Sequence, residues 1–198
     1  MKIAILGCGN MGYAYAKSLH KQGVVNSTNL FLFEKFDERA DFLRKENIGS
    51  VFNAFDNNLS QADIIVLAVK PQSFKELAIE IKPFLSNSQI IISIMAGVKQ
   101  SIIETELESA KIVRAMPNTP CQIGFGITGY YIPEGFSSSE KEAVKLVLES
   151  TGSAIKVANE NLIDSVTAVS GSGPAYFFYI IQQMTLSGTK LGLTEEEA

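Results

Sequence analysis

Short apolar runs alternate with amphipathic segments along most of this chain. Runs rich in β-branched residues predict strands at residues 3–7, 29–34, 49–52, 64–69, 90–94 and 111–115. Segments with apolar side chains on one face predict helices at residues 13–22, 37–45 and 74–81. The run at 64–69 is apolar throughout, as in a central strand covered on both faces. This alternation predicts an α/β fold with a doubly wound parallel sheet.

The pattern is different in the last third of the chain. Residues 124–132 predict a glycine-rich strand, residues 138–150 a helix and residues 154–157 a short strand. From Asn161 onward the pattern is helical and is interrupted only at residues 170–174. We therefore place a domain boundary near residue 160, so that residues 1–160 form one domain and residues 161–198 begin a helical one.

The last residues carry the signature of a helix start. Thr194, with Glu197 three residues later, forms a capping-box pattern. Such a signal is of little use without a helix to follow it, so we expect the sequence to be interrupted there. A frayed natural terminus is the alternative.

Three glycines follow the first predicted strand in the pattern Gly-x-Gly-x-x-Gly, with Cys8, Asn10 and Met11 between them. Gly7 allows a tight turn, Gly9 leaves room for a pyrophosphate, and Gly12 lets the next helix pack closely on the strand. The N–H groups and the positive dipole end of that helix then face the phosphates. The motif predicts a dinucleotide site, with a plain tight turn as the alternative.

The end of the second predicted strand bears on the choice of cofactor. Glu34 lies where an acidic side chain accepts hydrogen bonds from a ribose, whereas Lys35 and Arg39 could reach a ribose 2′-phosphate. The sequence thus leaves NADH and NADPH open. Repulsion between the carboxylate and a 2′-phosphate favours competence with NADH.

Two further strand ends are expected at the same edge of the sheet. The first comprises Ala68, Val69, Lys70 and Pro71, and the second includes Ala96. Ligands of open α/β sheets bind outside this edge, so Lys70 is expected to meet the cofactor and Ala96 to leave room for its nicotinamide. A solvated lysine and simple turn chemistry are the alternatives.

Two loops are candidates for substrate contact. Pro117 and Pro120 bracket Asn118 and Thr119, which stiffens a loop that carries polar side chains. The second loop precedes a strongly apolar helix and predicts an anion-binding helix start; its residues are Ser170, Gly171, Ser172 and Gly173. The alternatives are a rigid connection at the first loop and a kink between core helices at the second.

Composition and charge argue against several classes of partner and mechanism. The net charge is −4 and no basic block occurs, which argues against nucleic acid or an anionic membrane as partner. Cys8 and Cys121 are the only cysteines, and no cluster has metal-ligand spacing, so we expect neither disulfides nor a metal. His20 is the only histidine and is expected in solvent, which disfavours a histidine-dependent mechanism.

Over its whole length the chain resembles the pyrroline-5-carboxylate reductases. The motifs that carry the resemblance are Gly-Cys-Gly-Asn-Met-Gly (7–12), Val-Lys-Pro-Gln (69–72), Ser-Ile-Met-Ala-Gly-Val (93–98), Arg-Ala-Met-Pro-Asn-Thr-Pro (114–120) and Ala-Val-Ser-Gly-Ser-Gly-Pro-Ala-Tyr (168–176). The resemblance implies a Rossmann domain followed by the first helices of an all-helical dimerisation domain. It also implies a cytoplasmic homodimer or larger homo-oligomer that reduces 1-pyrroline-5-carboxylate to L-proline with NADPH or NADH.

By the same resemblance, residues 7–12 bind the pyrophosphate, residues 68–71 and Ala96 line the cofactor groove, and residues near Glu34 choose the cofactor. Asn118, Thr119 and residues 170–173 then lie near the nicotinamide and the substrate.

The chain departs from the family in one respect. In the family the helical domain continues to a Ser-Pro-Gly-Gly-Thr-Thr loop that holds the substrate carboxylate, and this sequence lacks that loop. We therefore expect a C-terminally truncated reductase that binds cofactor but has little or no turnover. The alternatives are a related imine or hydroxyacid reductase and a non-catalytic dinucleotide-binding or regulatory module.

Overall fold

The computed structural model describes residues 1–109 and 111–198. Its strands are β1 Ile3–Leu6, β2 Leu30–Phe33, β3 Ser50–Phe52, β4 Ile64–Leu67, β5 Ile90–Ser93, β6 Ile112–Met116, β7 Gly126–Tyr131 and β8 Gly152–Lys156. Its α-helices are α1 Asn10–Lys21, α2 Asp37–Glu46, α3 Phe74–Ile81, α4 Gln100–Leu107, α5 Ser138–Glu149, α6 Leu162–Val166 and α7 Gly173–Lys190. All the predicted strands are present, and α4 is a helix that the sequence analysis did not predict.

The strands form one eight-stranded sheet in the order β3-β2-β1-β4-β5-β6-β7-β8. The strand order reverses between β1 and β4, which are neighbours with Ile3 opposite Ile64. The doubly wound arrangement is confirmed, but the sheet is not wholly parallel, because β7 runs antiparallel to β6 with Gly129 opposite Met116. The connection between these two strands is too short for the crossover helix that a parallel pair needs.

Two apolar cores cover the two faces of the sheet. Ile3 and Ile5 point into one core, where they meet Tyr15 and Leu19 of α1. Alternate residues of the same strand, such as Leu6, point into the other core with side chains of α3 and α4. Strands buried on both faces explain why the sequence shows continuous apolar runs rather than alternation.

Helix α1 also contacts parts of the chain that are distant in sequence. The hydroxyl group of Tyr15, which is fully buried, lies 3.2 Å from Oγ1 of Thr128 in β7. Directly after α1, Nε2 of Gln22 donates a hydrogen bond of 2.6 Å to the carbonyl oxygen of Ser150. The first helix is therefore fixed to the far half of the sheet.

Residues 162–190 follow a nearly continuous helical path, which corrects the break predicted at residues 170–174. A π-helical turn at Thr167–Gly171 joins α6 to α7. The N–H and the hydroxyl of Ser172 both donate to the carbonyl oxygen of Thr167, over 2.9 and 3.1 Å, and close this wide turn. Helix α7, which begins at Gly173, therefore follows a π-helical turn rather than the loop that the sequence predicted.

A capping box at Ser137 begins a helix, whereas the one predicted at Thr194 does not. Ser137 and Glu140 form a complete capping box at the start of α5. Thr194 and Glu197 exchange the same hydrogen bonds, but they close a turn and not a helix.

In the part of the chain that the structure describes, no helix combines the length and the apolar character needed to cross a bilayer.

Candidate functional site

The loop between β1 and α1 needs glycine at two positions for steric reasons. Gly7 has a φ of +86°, and a Cβ there would lie 2.8 Å from Cγ1 of Val69. A Cβ on Gly12 would lie 2.1 Å from the carbonyl oxygen of Gly7. A side chain at Gly7 would clash with the segment that follows β4, and one at Gly12 would push α1 away from the glycine loop.

Gly9 is different, because a Cβ on it would meet nothing within 4 Å. The open space lies at the amino end of α1, where the first N–H groups of a helix have no intrahelical acceptor. It also lies at the carboxyl edge of the sheet, beside the point where the strand order reverses. The loop therefore fits a dinucleotide pyrophosphate, which needs free N–H groups and an uncrowded backbone.

The side chains between the glycines differ in exposure. The side chain of Cys8 is buried, and burial raises the pKa of its thiol far above the ordinary value, so that it is not a nucleophile. Asn10 is exposed and Met11 is half-buried at the start of α1.

Glu34 lies at the end of β2 and is bound to the glycine loop. Its Oε2 accepts a hydrogen bond of 3.0 Å from the N–H of Cys8, and its Oε1 accepts one of 3.1 Å from the N–H of Phe36. The residue is only 8% exposed, whereas its neighbour Lys35 is exposed. The predicted ribose-binding carboxylate therefore lies directly beside the predicted phosphate loop.

Arg39 of α2 approaches the same loop from its other side. Its Nε donates to the carbonyl oxygen of Cys8 over 2.8 Å. Its guanidinium group lies 5.1 Å from the ring centre of Tyr13 and 4.7 Å from that of Phe42. These contacts stabilise the loop and hold the arginine in place.

The predicted residues after β4 and β5 also reach the carboxyl edge of the sheet. Ala68 and Val69 are half-buried and adjoin Gly7, while Lys70 and Pro71 are exposed. Pro71 begins the 3₁₀ turn that leads into α3. Ala96 is exposed in the turn that follows β5.

Asn118 and the π-helical turn come together across a long stretch of sequence. Nδ2 of Asn118 lies 3.3 Å from the hydroxyl of Ser170, and its Oδ1 accepts a hydrogen bond of 2.9 Å from the N–H of Ile127. A Cβ on Gly171 would lie 2.9 Å from Cε of Met116, so the turn rests against the end of β6. Thr119 is exposed beside this contact, and Ser172 and Gly173 are half-buried.

The sequence analysis missed an ionic cluster around a buried arginine close to this contact. Arg114 of β6 is 1% exposed and donates to Asp164 of α6 over 2.6 Å and to Glu160 over 3.2 Å. Glu160 also accepts a hydrogen bond of 2.7 Å from the N–H of Gln100. A single arginine in the apolar strand Ile112–Met116 was the available signal. The cluster positions α6, and with it the π-helical turn, against the strand.

Within residues 1–109 and 111–198, no group of three histidine, cysteine or acidic side chains could hold a metal ion. The prediction that His20 lies in solvent is wrong, since it is half-buried in α1 and its Nδ1 is buried without a partner among the described residues.

Comparisons with known proteins agree with this architecture. Residues 2–97 match a family model described as NADP oxidoreductase, coenzyme F420-dependent, and residues 160–198 match one described as pyrroline-5-carboxylate reductase dimerisation. A pyrroline-5-carboxylate reductase of Staphylococcus saprophyticus is 36% identical, over 100% of this chain and 73% of the relative.

Solved structures give the same result. The pyrroline-5-carboxylate reductase of Coxiella burnetii has a TM-score of 0.87 at 33% identity, over 98% of this chain and 73% of that one. The Plasmodium falciparum pyrroline carboxylate reductase, solved with NADP bound, has a TM-score of 0.84 at 31% identity, over 99% and 72%. On this identity and coverage, the chain belongs to the pyrroline-5-carboxylate reductase family.

Proposed function

We propose that this chain reduces 1-pyrroline-5-carboxylate to L-proline with NADH or NADPH. The observation that carries the proposal is the glycine loop, which is open at Gly9 and lies at the same sheet edge as the Asn118–Ser170 contact. The names of the relatives supply the substrate, and the Plasmodium structure with bound NADP supplies the class of cofactor.

The reaction needs little acid–base catalysis from the protein. The substrate is a cyclic imine, and its C=N carbon is strongly electrophilic once the nitrogen is protonated. When bound, the reduced nicotinamide supplies the hydride. The protein has to hold the two rings at reacting distance and bind the carboxylate. This agrees with a candidate site that offers amide and hydroxyl groups rather than a histidine.

The roles of individual residues are part of the proposal. Residues 7–12 bind the pyrophosphate, Glu34 and Lys35 face the adenosine ribose, and residues 68–71 with Ala96 line the groove. Asn118, Thr119 and residues 170–173 lie beside the nicotinamide and the substrate.

We further propose that residues 1–160 are the cofactor domain and that residues 161–198 begin a helical domain through which two copies associate. Helix α7 supports this, because its apolar side chains are exposed; Phe177, for example, is 68% exposed. A cytoplasmic location fits the two cysteines, which are unpaired and buried.

A matched pair of glycine variants tests the cofactor site. Gly9→Ala places a methyl group in open space, so we expect unchanged thermal stability. We expect the affinity for the cofactor to fall about tenfold or more, because a phosphate can no longer approach the backbone closely. Gly12→Ala should lower both affinity and stability, because its Cβ would meet the carbonyl of Gly7. Calorimetric titration measures the affinity for the cofactor, and thermal unfolding measures the stability. Unchanged affinity in Gly9→Ala would exclude the proposed site.

Turnover is tested separately. From the sequence we expect little or no turnover, and any fall in nicotinamide absorbance should require pyrroline-5-carboxylate and form proline in equal amount. Asn118→Asp keeps the acceptor for Ile127 but loses the donor to Ser170, and it should lower turnover without weakening cofactor binding. Cofactor binding without any proline formation would favour the non-catalytic module instead.

A further inference from the structure

Glu160 joins parts of the chain that are distant in sequence. It lies at the proposed domain boundary, shortly before α6, and its side chain is 23% exposed. Its Oε1 accepts a hydrogen bond of 2.7 Å from the N–H of Gln100 and one of 3.2 Å from Nη1 of Arg114. One carboxylate oxygen therefore connects the first residue of α4 with the middle of β6.

The start of α4 depends on this carboxylate. The N-cap residue of α4, Lys99, has no side-chain acceptor, and the first turn of the helix contains no acidic residue. The N–H of Gln100 has no acceptor within the helix, because the first four N–H groups of an α-helix lack one. Glu160 supplies both an acceptor and the negative charge that the positive end of a helix favours.

The turn that contains Ala96 leads directly into this helix start. Only six residues, 94–99, connect β5 with Gln100. The first end of this connection is fixed, since the N–H of Ile94 donates to the carbonyl oxygen of Leu67 over 3.1 Å. The carboxylate helps to fix the second end, so a displacement of the amino end of α4 would move the turn.

The same cluster also holds the other side of the proposed site. Nη2 of Arg114 donates to Asp164 of α6 over 2.6 Å, and α6 leads into the π-helical turn that contains Ser170. Asp164 thus pairs with the guanidinium group that Glu160 also binds. Among the described residues, however, Asp164 makes no hydrogen bond to α4.

We propose that Glu160 is a positioning residue, which fixes the turn of Ala96 relative to the π-helical turn. The inference rests on the proposed function, in which Ala96 lines the cofactor groove and residues 170–173 lie beside the nicotinamide. Glu160 acts through the backbone of Gln100 and the guanidinium group of Arg114.

Two alanine variants separate positioning from a general loss of stability. Glu160→Ala and Asp164→Ala each remove one carboxylate from Arg114, but only Glu160→Ala also releases the N–H of Gln100. Titration of the whole chain with NADH should give a Kd that is raised about fivefold or more in Glu160→Ala. In Asp164→Ala it should change less than about twofold, because α6 remains packed on β7. The fluorescence emission of bound NADH, which depends on the surroundings of the nicotinamide, should shift in Glu160→Ala alone.

A second pair of variants tests the same hydrogen bond from its donor side. Gln100→Pro removes the N–H that Glu160 accepts, at the first helical position, where proline is tolerated. Gln100→Ala keeps this N–H, and both variants lose the side-chain hydrogen bond to the carbonyl oxygen of Ile112. Without cofactor, the backbone amides of residues 94–99 should exchange hydrogen about tenfold faster in Gln100→Pro than in Gln100→Ala.

The outcomes separate this proposal from the function on which it rests. Equal increases in Kd for Glu160→Ala and Asp164→Ala would overturn it, because Glu160 would then act only as a counter-charge for Arg114. Equal exchange rates in the two Gln100 variants would overturn it as well. If the unsubstituted chain binds no NADH, the proposed function fails, whereas the exchange rates still decide whether Glu160 holds the turn. Thermal unfolding shows whether each variant is folded, and the Gln100 pair decides the matter if Glu160→Ala is not.

Discussion

Apolar side chains are buried in the sheet but exposed in helix α7. In the sheet, residues such as Ile5 and Val66 are completely buried between two layers of helices. In α7, Phe177, Phe178 and Ile181 are each more than half exposed. The sheet is therefore stable through contacts within this chain, whereas α7 presents an exposed apolar surface of the kind that marks interaction sites. The proposed homodimer would cover this surface.

An isoleucine pair tests this contrast and has the largest expected effect. Ile103 of α4 is fully buried, and Ile103→Ala should lower the free energy of unfolding by about 3 kcal/mol at any protein concentration. Ile181→Ala in α7 should cost less than about 0.5 kcal/mol when copies are separate. Its cost should rise with protein concentration, because association then buries the residue. Denaturant unfolding at several concentrations measures both, and equal costs in dilute protein would contradict the comparison.

The ionic cluster between the two regions gives the next largest effect. Glu160→Gln combined with Asp164→Asn leaves the guanidinium of Arg114 buried without a counter-charge. Because Asp164 is 55% exposed, we expect a loss of about 2 kcal/mol, below the range for a fully buried pair. The control is Glu108→Gln, which removes an exposed ion pair with Lys82 and should cost less than about 0.5 kcal/mol. A double variant no less stable than this control would show that the cluster does not hold α6.

A smaller effect is expected at the start of α5. Glu140 closes the capping box with Ser137 and pairs with Lys111, whose hydrogen bond lowers the pKa of Glu140 from 4.5 to about 2. Glu140→Gln keeps an acceptor for Ser137 but loses the charge that pairs with Lys111, so it should cost at most about 1 kcal/mol at neutral pH. The carboxylate stabilises the folded state above its unfolded pKa, and this contribution is lost as the pH falls from about 4.5 to about 2. The stability difference between the two proteins should therefore disappear over that range in pH-dependent unfolding.

The smallest effect is expected at the second capping box. Glu197 accepts the same hydrogen bonds from Thr194, which lower its pKa, but the carboxylate is exposed and begins no helix. Glu197→Gln should leave the unfolding midpoint unchanged within the error of a thermal scan. A shift as large as that of Glu140→Gln would show that residues 194–197 contribute to the fold as α5 does.

The sequence predicted the elements that depend on local patterns. The glycine loop and the strands β1 to β6 follow from apolar runs and from the spacing of Gly7, Gly9 and Gly12. The direction of β7 was not predicted, because strand pairing depends on where a connection leads and not on the composition of the strand. The π-helical turn was mistaken for a break, since glycine and proline at residues 171–174 usually end helices.

The sequence indicated candidate site residues but not the hydrogen bonds that connect them. Glu34 was expected to face a ribose, but its hydrogen bonds to the glycine loop are visible only in three dimensions. Arg114 and Glu160 are separated by 46 residues, so nothing in the sequence indicates that they meet. Contacts of this range depend on the packing of whole elements, which local patterns do not encode.

The hydrogen bond between Tyr15 and Thr128 has a consequence for the order of synthesis. The amino-terminal helix leaves the ribosome long before the strand that buries its tyrosine. Until residue 128 has emerged, the side of that helix that carries Tyr15 stays exposed to solvent and can make non-native contacts. Nascent chains halted before this point should therefore bind holdase chaperones more strongly than chains halted after β8 is complete.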